Sequence, residues 1–361
     1  METPLNSGPH LFSPLTFRSL TLRNRIGMPP MCQYSAQNGL ANDWHYVHYG
    51  SRAVGGAGLV IVEATAVTPE GRITPACLGI WSDQHAEALA RVATFIKQHG
   101  AVAGIQIGHA GRKASASVPW QGPTHLTEEQ GGWPTMAPSA IAFGGNLPKV
   151  PRAMTLDDIH WIQQAFVAAA KRSLTAGFTW LELHAAHGYL LNEFLSPLTN
   201  LRTDQYGGSF ENRCRFLLET TKAVRTVWPD DLPLTVRISA VDWKSGGWDL
   251  EQSIALVKEL KPLGVDLIDC SSGGLVADAK IPATPGYQVP FSEGIRQATG
   301  IATAAVGLIT EPKQADTIIR TGQADIVLLG REMLRDAYWP VRAAKELGQP
   351  LTAPIQYSRA W

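Results

Sequence analysis

Charge of either sign is scarce and balanced: 31 Lys and Arg stand against 31 Asp and Glu, and charged residues make up only 17% of 361. A neutral chain lacks the basic face that grips nucleic acid or an anionic membrane, so neither is expected as a partner. No apolar run is long enough to cross a bilayer. Residues 1–15 hold an acid and three prolines but no hydrophobic stretch, which predicts no signal peptide. Cysteine is scarce as well. Cys32, Cys77, Cys214 and Cys270 form no CxxC and no tight spacing, a pattern expected of reduced thiols in a cytoplasmic protein and not of a disulfide framework. Walker A, HExxH and GxSxG sequences are missing, as is a well-placed GxGxxG, so no standard nucleotide or hydrolase signature competes.

What the chain has is 45% hydrophobic residues and a rhythm. Apolar runs fall at 25–31, 58–65, 102–109, 179–185, 234–240, 267–272, 303–309 and 326–331. Each is nearly continuous in Val, Ile, Leu and Ala, as parallel strands buried on both faces require. Amphipathic segments lie between them. In 156–176, Ile159, Ile162, Phe166 and Ala169 recur at helical spacing, with Thr155 and Asp158 as start signal and Gly177 after the end. Thr310, Glu311 and Pro312 open another helix that ends near Gly322. Eight strand–helix units predict an α/β fold, a (β/α)8 TIM barrel as one domain over residues 1–361. Residues 11–25 are expected to form a short hairpin closing the barrel bottom. Residues 113–154, rich in Pro and Gly, are expected to cap the mouth, since Trp120, Trp133, Met136 and Phe143 argue against disorder.

In such a barrel the site forms where strands end and loops converge. The polar and glycine residues there are Cys32, Tyr34, Gln106, His109, His184, His187, Tyr189, Arg237, Gly307, Gly330 and Arg331. His184 and His187 face one side if the chain between them turns helically. Two ring N–H groups would then converge on one carbonyl or phenolate oxygen, and Tyr189 beside them would act as a general acid toward a carbanion. The same spacing also fits two hydrogen-bonded core histidines, or two ligands of a metal-dependent hydrolase. Arg237, inside the apolar run 234–239, needs an anion. That anion is either a buried carboxylate (Glu63, Glu182 or Asp269) or the pyrimidine edge of a reduced flavin, for which Gln106 would supply an amide donor and acceptor. Gly307, Gly330 and Arg331 close the last two strands, where barrels of this type often hold a phosphate. Cys32 taken alone reads equally well as an inert small hydrophobe. Ser209 reads as a helix cap.

Pro29-Pro-Met-Cys-Gln-Tyr34, Gln106-Ile-Gly-His-Ala-Gly-Arg112, His184-Ala-Ala-His-Gly-Tyr189, Arg202-Thr-Asp-Gln-Tyr-Gly-Gly-Ser-Phe-Glu-Asn-Arg213 and Gly330-Arg331 together resemble the old yellow enzyme family. Cys32 and the paired histidines resemble its thermophilic-like branch of NADPH dehydrogenases and xenobiotic reductases. The resemblance covers nearly the whole chain, from about Leu11 to Trp361. It implies FMN across the barrel mouth, with Pro29, Pro30, Met31, Cys32, Ala64, Gln106, Arg237, Gly330 and Arg331 at flavin-contacting positions and Cys32 near N5. It implies Tyr34, His184, His187 and Tyr189 at substrate positions. Arg359 matches an arginine that reaches a neighbouring subunit's site, which implies a homodimer or homotetramer.

The expected activity is that of a cytoplasmic NADPH-dependent ene-reductase. Hydride passes from NADPH to FMN and then to Cβ of an α,β-unsaturated carbonyl, and Tyr189 protonates Cα. Enones, quinones and nitro compounds are the expected small-molecule substrates. The rivals are a longer flavoprotein carrying an iron–sulfur cluster, a metal-dependent hydrolase, and a non-catalytic flavin-binding redox sensor.

Overall fold

The computed structural model describes residues 8–350 and 353–360. The expectations for residues 1–7 and for Trp361 lie outside them. Eight parallel strands close into a barrel: β1 (Ile26–Met28), β2 (Leu59–Ala66), β3 (Val102–Gly108), β4 (Trp180–Ala185), β5 (Leu234–Ser239), β6 (Leu267–Ser271), β7 (Ala302–Val306) and β8 (Ile326–Leu328). Each is followed by a helix: α1 (Asp43–Val54), α2 (Asp83–Gln98), α3 (Leu156–Thr175), α4 (Phe210–Arg225), α5 (Leu250–Leu260), α6 (Val289–Thr299), α7 (Pro312–Arg320) and α8 (Trp339–Glu346). The strands pair in chain order, and β8 pairs β1 to close the ring. The (β/α)8 expectation is met.

Strand periodicity of two decides what enters the barrel. On β2, Val60 and Val62 join the large core against the helices, while Leu59 and Ile61 join a second cluster with Trp180, Leu267, Ala304 and Ile326. The N-terminal hairpin, Leu15–Phe17 paired with Leu20–Leu22, adds Phe17 and Leu22 to this cluster, and Phe17 meets Trp180 edge-on at 5.2 Å. The hairpin therefore plugs the bottom. Continuing the same alternation upward puts Glu63, Glu182, His184, Arg237, Asp269 and Ser271 on the inward face, toward the strand C-termini.

The end signals resolve as hydrogen bonds. Thr155 accepts from Asp158 N–H, and the Asp158 side chain reaches back to the Thr155 N–H, a reciprocal cap for α3. Ser209 caps α4 by accepting from Asn212 N–H. α7 starts at Pro312, but its cap is Glu311 without a side-chain bond. Three strands end three residues earlier than expected: β1 stops before Pro29, β7 before Gly307 and β8 before Leu329. The prolines lack an N–H for the ladder, and Gly307 at φ +128° leaves strand geometry. Segment 114–153 contains one parallel two-residue pairing, Met136–Ala137 with Arg152–Ala153. Lys149 Nζ ties it together by donating to Leu126 O and Trp133 O, both at 3.1 Å.

Candidate active site

His184 is the penultimate residue of β4, register-paired with Arg237 on β5, which is paired in turn with Asp269 on β6. His187 lies beyond the strand at φ +59°, and Tyr189 precedes the short helix Leu190–Leu195. The two histidines therefore meet through a left-handed turn and not through the helical turn expected from their spacing. Their ring centroids are 5.2 Å apart, and Tyr189 stands 4.9 Å from His184. Gly188 makes the turn possible: a Cβ there would meet Gly274 O at 2.3 Å. Lys113 staples the same two segments, donating to His187 O at 2.8 Å and Gly274 O at 3.0 Å, with its ammonium 5.0 Å from the Tyr189 ring centroid.

Ala186 N–H donates to Nδ1 of His184 at 3.3 Å, which puts the ring proton on Nε2. The His187 backbone N–H donates to Ser239 Oγ at 2.8 Å, and its Nε2 lies 2.7 Å from Ser271 Oγ. Burial, followed by the Arg237 charge, holds both imidazoles well below the usual histidine range, so both are neutral. Burial, then the neighbouring Cys32 and Tyr34, pushes the Tyr189 phenol up and keeps its proton on. Tyr34 shifts the same way and packs edge-on against Trp120 at 5.9 Å. Burial lowers Lys113 to about 8.

Arg237 has a protein counter-ion, since its Nε lies 3.0 Å from Asp269 Oδ2. Of the three carboxylates considered from sequence, Asp269 is the partner. The angle gives no hydrogen bond, however, and Nε and both Asp269 oxygens remain without one among the described residues. Gln106 donates one amide N–H inside the barrel, to Glu182 Oε1 at 2.9 Å, which leaves its second N–H and its carbonyl oxygen without a protein partner among the described residues. Burial pushes Glu182 up from the ordinary carboxylate range.

Two further groupings complete the mouth. Ala64 and Cys77 line a cavity with His184 and Tyr189, and the neighbouring Cys77 thiol, followed by burial, pushes the Cys32 thiol up. Two of the cysteines that look scattered in sequence are thus neighbours in the fold. Gly307, Gly330 and Arg331 line a second cavity with Ser271 and Tyr287. Pro29 and Met31 stand next to Gly330, where a Cβ would reach Met31 Sδ at 3.6 Å and Pro29 Cγ at 3.8 Å; Pro29 and Pro30 are buried and Met31 is half-buried. Arg359 is exposed and is not brought to the mouth within one chain. Among the described residues, no three His, Cys, Asp or Glu side chains are grouped as metal ligands, and no helix is long and apolar enough to cross a membrane.

Sequence reasoning missed Cys77, Lys113, Ser271 and Ser239. Only Lys113 left a signal, a second basic residue directly after the Gln106–Arg112 motif. The donor set fits FMN. An arginine without a hydrogen-bonded acceptor and an amide oxygen suit the pyrimidine edge, and the Gly307, Gly330 and Arg331 cavity suits a phosphate.

The sequence profile described as the NADH:flavin oxidoreductase / NADH oxidase family matches residues 10–349. The chain is 52% identical over 353 residues to NADPH dehydrogenase of Geobacillus thermodenitrificans, covering 97% of this chain and 98% of that one. It superposes on the old yellow enzyme homologue from Zymomonas mobilis with a TM-score of 0.78 at 29% identity, covering 96% of each chain. Against 2-naphthoyl-CoA reductase in complex with 2-naphthoyl-CoA the TM-score is 0.85 at 26% identity, over 94% of this chain and 52% of that one, so the chain spans about half of that longer protein. The chain belongs to the NADH:flavin oxidoreductase / NADH oxidase family and is an FMN-dependent NAD(P)H oxidoreductase.

Proposed function

We propose that this oxidoreductase is an ene-reductase acting on the activated C=C bond of α,β-unsaturated carbonyl compounds. The observation that carries the reading is a neutral histidine pair 5.2 Å apart, with a protonated phenol 4.9 Å from its first member. FMN, when bound, supplies a hydride carrier between NADPH and the substrate Cβ.

The chain's own residues do the rest. His184 donates from Nε2 to the substrate oxygen, and His187 donates beside it, which draws electron density from the double bond. Neutral rings suit this task, because they donate without giving up a proton to the carbonyl. Tyr189 delivers the proton to Cα, and Tyr34 closes the substrate side. Pro29, Pro30, Met31, Cys32, Ala64, Gln106 and Arg237 hold the flavin ring, and Gly307, Gly330 and Arg331 hold its phosphate. Segment 113–154 caps the mouth. Arg359, exposed in the single chain, reaches the site of a second copy in a homodimer or homotetramer. Quinones and nitro compounds are further acceptors of the same polarity, and their reduction makes this an enzyme of xenobiotic chemistry in the cytoplasm.

The test is anaerobic NADPH oxidation by purified yellow protein with and without 2-cyclohexenone. Enone-dependent turnover is expected. Flavin reduction that no enone reoxidises would overturn the substrate class while leaving the cofactor in place.

A further inference from the structure

Strand register sets two polar layers across the upper barrel. Gln106 on β3 pairs with Glu182 on β4, and Glu182 with Thr235 on β5. Two residues further along, Arg237 on β5 pairs with His184 on one side and with Asp269 of β6 on the other. Glu182 is held by hydrogen bonds: Gln106 donates to Oε1 at 2.9 Å, and the Thr235 hydroxyl lies 3.5 Å from Oε2. Asp269 has no such support. It is fully buried, and neither of its oxygens has a hydrogen bond among the described residues. What it has is the Arg237 guanidinium, whose Nε lies 3.0 Å from Oδ2.

A buried carboxylate without a hydrogen bond is costly, and an apolar side chain of the same size would fill the place without that cost. We propose that Asp269 is a positioning residue for the flavin: as the buried counter-ion of Arg237, it offsets the guanidinium charge presented to the pyrimidine edge and so holds the reduction potential down. The inference rests on the flavin placement given above, in which Arg237 meets that edge. The N1–C2=O edge gains negative charge on reduction. A bare arginine would favour the reduced form strongly, and one paired with Asp269 favours it less.

Two carboxyls lie near the Arg237 charge, and the contacts choose between them. Burial pushes both up, and Asp269 raises Glu182 further, whereas Arg237 draws Asp269 back down. Glu182 keeps its proton, which suits a group whose Oε1 accepts from an amide, and Asp269 carries the charge. The Arg237 side chain is 8% exposed and that of Asp269 0%, so solvent screens the pair little.

Spectroelectrochemical titration of the flavin-loaded enzyme reads the midpoint potential. Removing a unit charge beside a buried cation is expected to change the preference for reduced flavin by at least about tenfold, ~30 mV for two electrons. Asp269→Asn should raise the potential by that much or more, and Asp269→Glu should stay close to wild type. Glu182→Gln, a neutral amide for a neutral acid, should leave it unchanged. Arg237→Gln should lower it. Adding Asp269→Asn to Arg237→Gln should change nothing further, because a buried carboxyl without its cation takes up a proton. Should the unpaired guanidinium keep Asp269→Asn from folding, Asp269→Ser, which leaves room for water at the guanidinium, carries the same expectation. An unchanged or lowered potential on loss of the Asp269 carboxylate, or an equal rise in Glu182→Gln, would overturn the proposal. If Arg237→Gln left both the potential and the FMN dissociation constant unchanged, the flavin placement would fall and this inference with it. A response to Arg237→Gln with none to Asp269→Asn removes the inference alone.

Discussion

The hydroxyl of Ser271 on β6 lies 2.7 Å from Nε2 of His187, so the second histidine of the pair is held by a strand two positions around the barrel from its own. The nitrogen that donates from an imidazole is set by the contact its other nitrogen makes. A Ser271 hydroxyl donating to Nε2 leaves the ring proton on Nδ1, the tautomer with a donor to spare. Ser271→Ala removes that constraint, at about 1 kcal/mol for one hydrogen bond. The expected result is a roughly fivefold fall in kcat/KM for 2-cyclohexenone, with flavin content unchanged. Steady-state kinetics at matched flavin occupancy checks it, and identical constants would mean that Ser271 does not set the tautomer.

His184→Ala removes an oxyanion donor and is expected to slow enone reduction by roughly 10²–10³. Tyr189→Phe should slow it by about 10²–10⁴ where Cα needs a proton, while reduction of the flavin by NADPH survives. Stopped-flow measurement of the two half-reactions separates these effects. Loss of NADPH oxidation with enone reduction intact would reverse the role given to Tyr189.

Arg331 stands in the cavity with Gly307 and Gly330. Losing a charge-assisted hydrogen bond to phosphate costs ~1.5–3 kcal/mol, so Arg331→Ala should weaken FMN binding by about tenfold to a hundredfold. Fluorescence titration of apoprotein with FMN reads this directly. An unchanged Kd would place the phosphate elsewhere.

Glu63, fully buried, accepts from Gln33 N–H and from the Tyr49 hydroxyl, both at 2.9 Å. Burial raises it to about 8 against those bonds, so the folded chain keeps a proton that the unfolded chain releases near 4.5. The folded state binds more protons, and this contribution to stability is fully present below 4.5 and lost as pH rises to about 8. Glu63→Gln carries no such titration. Wild-type Tm should therefore fall relative to the variant across that window, as differential scanning fluorimetry at a series of pH values would show. Parallel pH profiles would mean that Glu63 is ionised in the fold.

The fold was legible because its signals are local. Eight apolar runs, the Thr155 and Asp158 pair and the Pro312 helix start each work within a few residues, and all lie where expected. Strand ends were less legible. Pro29 and Gly307 look like continuations of apolar runs, yet one lacks an N–H and the other turns to φ +128°. Of the candidate site, the His184, His187 and Tyr189 segment could be read because its three residues are close in sequence. The partners that fix their state come from other strands: Ser271 on β6, which leaves no local trace, and Lys113 after β3.

By itself the sequence determined the barrel, the family and the residues offered to the mouth, since strand periodicity and short motifs depend on neighbours along the chain. Only the tertiary structure decided the protonation and pairing of those residues. It neutralised the two histidines by burial beside Arg237, gave Arg237 to Asp269 among three carboxylates, and turned the Gln106 amide nitrogen inward to Glu182. It also made Cys77 a neighbour of Cys32. Each of these depends on distances and desolvation between strands far apart in the chain, and barrel closure is what sets both.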